Sequence, residues 1–222
     1  NAERLAVFVR PRLADCARIR TEIVEQLRKW EVGAELGGYE GNDKNAVRRI
    51  VAATFACIRR YSINRTPCDF SEPSEIGGGV KILAERKASA PELALFVCSC
   101  LESLGLHPVL VFGDKHITCG VWLYQSCFMD TVSDDTGLLE KYIADGINNV
   151  SCFDIDDLYA DKTCAYSTSE THFKQKLSGG YYEKFVDVRR CRIASVPSLP
   201  LRAKGVKCFE ILGEDAMSPF AA

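Results

Sequence analysis

The chain has 222 residues, enough to bury a sizeable core as one domain, and no Pro/Ser/Gly-rich linker divides it. Hydrophobic residues make up 47% and charged residues 26%, a globular balance, and a net charge of −2 leaves no basic footprint for nucleic acid. No apolar run reaches the roughly 18 residues that a membrane span needs, so neither nucleic acid nor membrane is an expected partner.

The eleven cysteines are an odd number, and none fall in a CxxC pair or at zinc-finger spacing. Many sit in apolar runs, among them Cys57, Cys98, Cys100, Cys119 and Cys127. They read as small buried hydrophobes in a reducing compartment, hence a cytoplasmic protein. Three histidines beside eleven cysteines argue against a metal site, so the expectation is no metal and no cofactor. The chain opens on Asn1, not Met, which suggests a fragment.

In chain order, Ala6–Pro11 is a short apolar entry. Leu13, Cys16, Ile19, Ile23, Leu27 and Trp30 recur every three or four residues and predict an amphipathic helix. A Gly-rich loop over 31–42 follows, and Asp43 can cap a helix over Lys44–Tyr61. The irregular stretch Ser62–Gly79, with Pro67, Pro73 and three consecutive glycines, has the length of a cleft wall or a surface excursion. Val80–Glu85 leads into the most informative segment.

Pro91 suits a first helical turn, which places Ser89 or Ala90 near the N-cap and Glu92 where it favours the helix dipole. Leu93, Phe96, Val97, Cys100, Leu101 and Leu104 form a stripe that Ala94, Leu95 and Cys98 widen almost all round, so this is a buried, central helix, ended by Gly105. Strands are predicted over Val109–Phe112, Ile117–Tyr124 and Cys127–Asp130, joined by short turns and therefore antiparallel. A helix over Leu138–Ile143, a strand over Val150–Ile155, a helix over Ser169–Leu177 with a capping Ser169-Glu170 start, and an edge strand within Phe185–Ile193 complete the pattern. The fold class is α+β, with extra N-terminal helices and a central helix on a small antiparallel sheet.

A helix start at Ala90, a histidine at the head of a strand (His116) and an acid after the next (Asp130) are the parts of a Cys-His-acid triad. A thiol at a helix N-terminus has a lowered pKa, a strand histidine can hold its proton, and an acid can orient the imidazole. Yet the nucleophile position holds Ala90. Cys98 and Cys100 lie inside the buried helix, and Ser89 is one residue off register. His172 has no evident partner. Trp122 lies on the face of His116 in a regular strand and fits a core position better than a cleft wall.

The run ASAPELALFVCSCLESLGLHPVLVFGDKH, residues 88–116, resembles the core of the transglutaminase-like superfamily, with its papain-like fold. The pattern there is Gly-x-Cys-x-Asp-Leu-Ala, a helix, Gly-Leu/Ile-x-Pro, a strand, Gly-x-x-His and then Asp. Closer still is the transglutaminase-like cysteine peptidase domain that precedes helicase modules in large bacterial proteins. AVFVRP, GGYEG, GGGVKI, HITCGVWL and FVDVRRCRIASVPSLPL extend the likeness over residues 5–201. The resemblance implies one domain over 1–201 with a C-terminal tail at 202–222. It makes His116 the general base, Asp130 the orienting acid and Glu92 a structural acid. Ala90 then stands where the family has its cysteine, either as a deliberate Cys→Ala change or in a natural pseudoenzyme. The expected function is a cysteine hydrolase of peptide or amide bonds, inactive as given. Alternatives are a deamidase, a transglutaminase, or a natural pseudoenzyme that binds a peptide or protein; the expected partners are a protein or peptide substrate and an inhibitor, immunity or other partner protein. A bacterial effector or toxin delivered into a target cell fits the same resemblance.

Overall fold

The computed structural model describes residues 2–30, 36–67 and 82–198. The expected tail at 202–222, the GGGVKI segment up to Lys81 and most of the Ser62–Gly79 loop lie outside them.

A 3-10 stretch at Ala2–Phe8 leads into α1 (Ala14–Trp30). Its predicted stripe is buried except for Trp30, which is 50% exposed at the helix end. α2 (Lys44–Arg59) begins at Asp43, whose carboxylate accepts from the Asn45 N–H. Then come β1 (Asn64–Arg65), the single turn α3 (Ile82–Glu85) and β2 (Lys87–Ala88), which pairs parallel with β1.

α4 (Ala90–Ser103) is the buried central helix, with every residue from Leu93 to Leu101 removed from solvent. Ser89 is the N-cap, and the Glu92 carboxylate accepts from both its N–H (2.8 Å) and its hydroxyl (2.7 Å). At the far end Gly105 takes φ +77°, and the Leu106 N–H reaches back to the Leu101 carbonyl, closing the helix in a Schellman turn.

β3 (Pro108–Phe112) and β4 (Ile117–Trp122) form an antiparallel hairpin. β5 (Val132–Ser133), α5 (Thr136–Ile143), β6 (Val150–Phe153), α6 (Tyr166–Ser178), β7 (Lys184–Asp187) and α7 (Val188–Ile193) follow. The sheet order is β5-β7-β3-β4-β6, antiparallel throughout. Leu110, Phe112, Cys119 and Val121 face a core shared with α1, α2 and α4, whereas Val109, Val111, Trp122 and Cys152 face a second core under α5 and α6. Covering both faces explains why β3 reads as an unbroken apolar run. The fold is α+β with a small antiparallel sheet, as expected. The nine described cysteines carry no disulfide, and no helix among the described residues is long and apolar enough to cross a membrane.

Three expectations are corrected. Cys127–Asp130 is not a strand: the Phe128 N–H and the Trp122 indole N–H both donate to the buried Asp187 carboxylate, at 2.8 and 2.9 Å, and this holds the segment away from strand pairing. The short strand after it, β5, pairs with β7 and not with β4. Ser169 does not start a helix but lies inside α6, where its hydroxyl donates to the Asp154 carbonyl and accepts from the Asp154 N–H. β7 is not an edge strand but sits between β5 and β3, and its continuation turns into α7, where the Asp187 carboxylate caps the Arg190 N–H at 2.7 Å.

Asp187 thus satisfies three separate N–H groups with one fully buried carboxylate, and burial pushes its carboxyl up from the ordinary range although those donors pull it down. Asp187→Ala leaves all three without a partner. The expected loss is roughly 3 kcal/mol, at about 1 kcal/mol or more for each orphaned donor, measured by urea unfolding.

Candidate functional site

α4 packs against β3 and β4 and turns back into β3 through Leu104–His107. Its N-terminus therefore lies over the end of the sheet where β3 finishes and β4 begins. His116 is at that end, in the turn between the two strands. β4 pairs with β6 from Cys119↔Phe153 to Trp122↔Val150, so β6 finishes there too, just before Asp154. Three features, the α4 start at Ala90, His116 and Asp154, share one end of the sheet.

Asp130 does not join them. It is exposed, two residues ahead of β5, and three strand-to-strand steps separate β5 from β4. At about 4.8 Å per step that is on the order of 14 Å across the sheet. It also lies at the opposite end, since Thr131 binds Asp187, which faces Val109 at the start of β3. The expected orienting acid is therefore not beside His116, and Asp154 occupies that neighbourhood.

His116 is half-buried. Its ring stands edge-on to Tyr181 at 5.0 Å between centroids and faces Tyr182 at 6.3 Å. The tyrosines come close because Gly113 opens the turn: a Cβ there would lie 2.2 Å from the Tyr181 carbonyl oxygen. Burial lowers the His116 pKa first, and the Lys176 charge lowers it further, against an upward pull from Asp156 and Asp154. At neutral pH the imidazole is therefore the free base, the form a proton acceptor needs.

The acids are held by a lattice of charges. Lys176 Nζ lies 2.6 Å from Asp154 Oδ2 and 3.0 Å from Asp156 Oδ2. Arg65 binds the other oxygen of Asp156 at 2.8 Å and lies over the Tyr159 ring. Tyr159 donates to the Ala88 carbonyl at 3.2 Å, tying this group to the strand that feeds α4. Burial alone would lower the Lys176 pKa, but the hydrogen bonds and charges of the two aspartates outweigh it and raise the value.

Beside the lattice opens a cavity of about 810 Å³ whose walls include Arg65, Asp154, Asp157, His172, Lys176 and Tyr181. His172 does have a partner: its Nδ1 is 2.8 Å from Asp157 Oδ2. Cys164 belongs to the same group, with its thiol pushed up to about 11 by burial and by Asp157, the reverse of an activated nucleophile. Cys98 and Cys100 are fully buried, and burial raises the Cys100 thiol well above its usual range. Trp122 is a core residue at the other end of β4 from His116.

Sequence reasoning placed Ala90, His116 and Glu92 correctly on their elements and missed Asp154, Arg65, Lys176 and Tyr181. A signal for Asp154 was there in FDIDDL, where an apolar strand runs straight into three acids. Compared with known proteins, the chain matches no family model, no curated protein and no solved structure.

Two outcomes follow. Lys176→Gln removes a neighbouring cation and frees two carboxylates, so the His116 titration midpoint rises, whereas Asp154→Asn lowers it; histidine ring resonances followed by NMR across pH measure both. Gly113→Ala forces the Tyr181 backbone off the turn, with an expected loss of roughly 2 kcal/mol in urea unfolding and a shifted His116 resonance.

Proposed function

We propose that this chain is a transglutaminase-like, papain-like cysteine hydrolase scaffold for peptide or amide bonds, with Ala90 standing where the nucleophilic thiol belongs. The observation that carries the reading is the meeting of the α4 N-terminus, His116 and Asp154 at one end of the sheet, in the chain order that the motif requires. In this reading Asp154 takes the role first expected of Asp130.

The chemistry is that of acyl transfer. A thiol at position 90 would lie at the N-terminus of a buried 14-residue helix, where the helix dipole stabilises thiolate. His116, neutral at pH 7, takes the thiol proton. The sulfur attacks the carbonyl carbon, and the backbone N–H of residue 90, the one first-turn amide that neither Pro91 nor the Ser89–Glu92 capping box removes, holds the oxyanion. The tetrahedral adduct expels the amine, which leaves with the proton from His116, and water then cleaves the thioester. The negative field of Asp154 favours the imidazolium that forms between these steps. The substrate is a protein or peptide, entering beside Arg65, Lys176 and Tyr181.

A second reading rests on Ala90 itself: a half-buried methyl packed against the core makes a binding module that holds such a chain without cutting it. An amine as acyl acceptor would give cross-linking instead, and a glutamine side chain as substrate would give deamidation.

Ala90→Cys separates these. Under the hydrolase reading the introduced thiol is alkylated by iodoacetamide well below the usual thiol pH, and peptide cleavage appears. His116→Gln on that background lowers the rate by about 10² or more. Asp154→Asn lowers it less, and Asp130→Asn leaves it unchanged. An introduced thiol of ordinary reactivity, with no product by mass spectrometry, would overturn the hydrolase reading in favour of the binding module.

A further inference from the structure

The second acid of the Asp156-Asp157 pair faces a different chemistry. One ligand atom each from Asp157, Cys164 and His172 lies within 4.8 Å of the others, and they come from three places: the 3-10 turn Ile155–Leu158, the loop before α6, and α6 itself. Asp157 is buried, His172 and Cys164 are half-buried, and Asp157 and His172 both line the 810 Å³ cavity.

We propose that Asp157, Cys164 and His172 form a zinc site with three protein donors and an open fourth position toward the cavity. The donor set is the argument. A carboxylate, a thiolate and an imidazole together suit a borderline-soft divalent ion, and three such donors with a free position describe a site that can accept water or a ligand oxygen. Zinc bonds of about 2.0–2.3 Å put tetrahedral donors roughly 3.3–3.8 Å apart. The 2.8 Å Asp157–His172 contact needs to open slightly and the widest separation to close by about 1 Å. Side-chain rotations on a half-exposed helix face and loop supply that. A proton now bridges the Asp157–His172 pair. On binding, the cation takes the place of that hydrogen, which a neutral imidazole then carries on Nε2 instead, and the Cys164 thiol gives up its proton to become thiolate, so one proton is released.

The site would pin the Cys164 loop to α6 and the 3-10 turn. Its free position would present a Lewis acid to the cavity for a carbonyl or carboxylate oxygen. It is separate from His116 and Ala90 and does not rest on the hydrolase reading.

The test uses the full chain, zinc chloride and cobalt(II) chloride. One equivalent of zinc stays bound through gel filtration. Cobalt gives the intense visible absorption of a four-coordinate ion together with a thiolate-to-cobalt charge-transfer band in the near ultraviolet. Cys164→Ser abolishes that band, and His172→Gln weakens zinc affinity at least tenfold. Cys127→Ser, on a different part of the surface, changes neither. Zinc raises the melting temperature of the wild-type chain but not of the Cys164→Ser variant. Failure to retain zinc overturns the proposal, as does a charge-transfer band that persists in Cys164→Ser, which would assign the metal to other thiols.

Discussion

A helix that is apolar nearly all round can exist in water only if it is covered on every side, and α4 imposes that demand on the whole fold. Its residues from Leu93 to Leu101 are all buried, so the sheet must lie along one side and α1 and α2 along the other. The few polar groups inside are accounted for locally. The Ser99 hydroxyl donates to the Leu95 carbonyl and accepts the Arg10 N–H at 2.8 Å. What is left for solvent is the two ends: Glu102 and Ser103 at one, and at the other Ala90, half-buried where the capping pair Ser89 and Glu92 closes the helix.

The route to the acid shows how far a linear reading reaches. Periodicity located α1, α2, α4, β3 and β4 because each carries a repeated apolar pattern whose period is set by its own backbone. Asp43 and Glu92 were legible for the same local reason, being capping residues at fixed offsets from a helix start. Strand neighbours are not local. Asp130 was chosen on the assumption that the segment after β4 pairs with it, but a buried carboxylate at Asp187 claims that segment and sends it to the far edge. β4 pairs instead with β6, some thirty residues later. Nothing in CFMD announces that Phe128 donates to a residue 59 positions away.

The charged residues were illegible for a related reason. Arg65, Lys176 and the acids of FDIDDL look like ordinary solvated charges one at a time, and only the fold brings them within 3.0 Å of one another. Cys164 and His172 are eight residues apart, in a loop and a helix, which is no metal-ligand spacing. The third donor arrives from the preceding turn.

The 3-10 turn after β6 explains how three acids so close together avoid repelling one another into solvent. Asp154, Asp156 and Asp157 each find a cation or donor: Lys176 is shared by Asp154 and Asp156, Arg65 adds a second partner for Asp156, and His172 pairs with Asp157. Asp154 and Asp157 are both buried, and a buried carboxylate persists only where charge or hydrogen bonds replace its water. Asp154 accepts the Asp156 N–H while its backbone exchanges hydrogen bonds with Ser169, so the turn, α6 and β6 are fixed as one unit. That rigidity has a functional side. Asp154 and Asp156 are both oriented by Lys176 and act on the His116 imidazole through their field. The balance between Lys176 and the two aspartates then sets how readily His116 takes a proton, and drawing Lys176 away would raise its basicity.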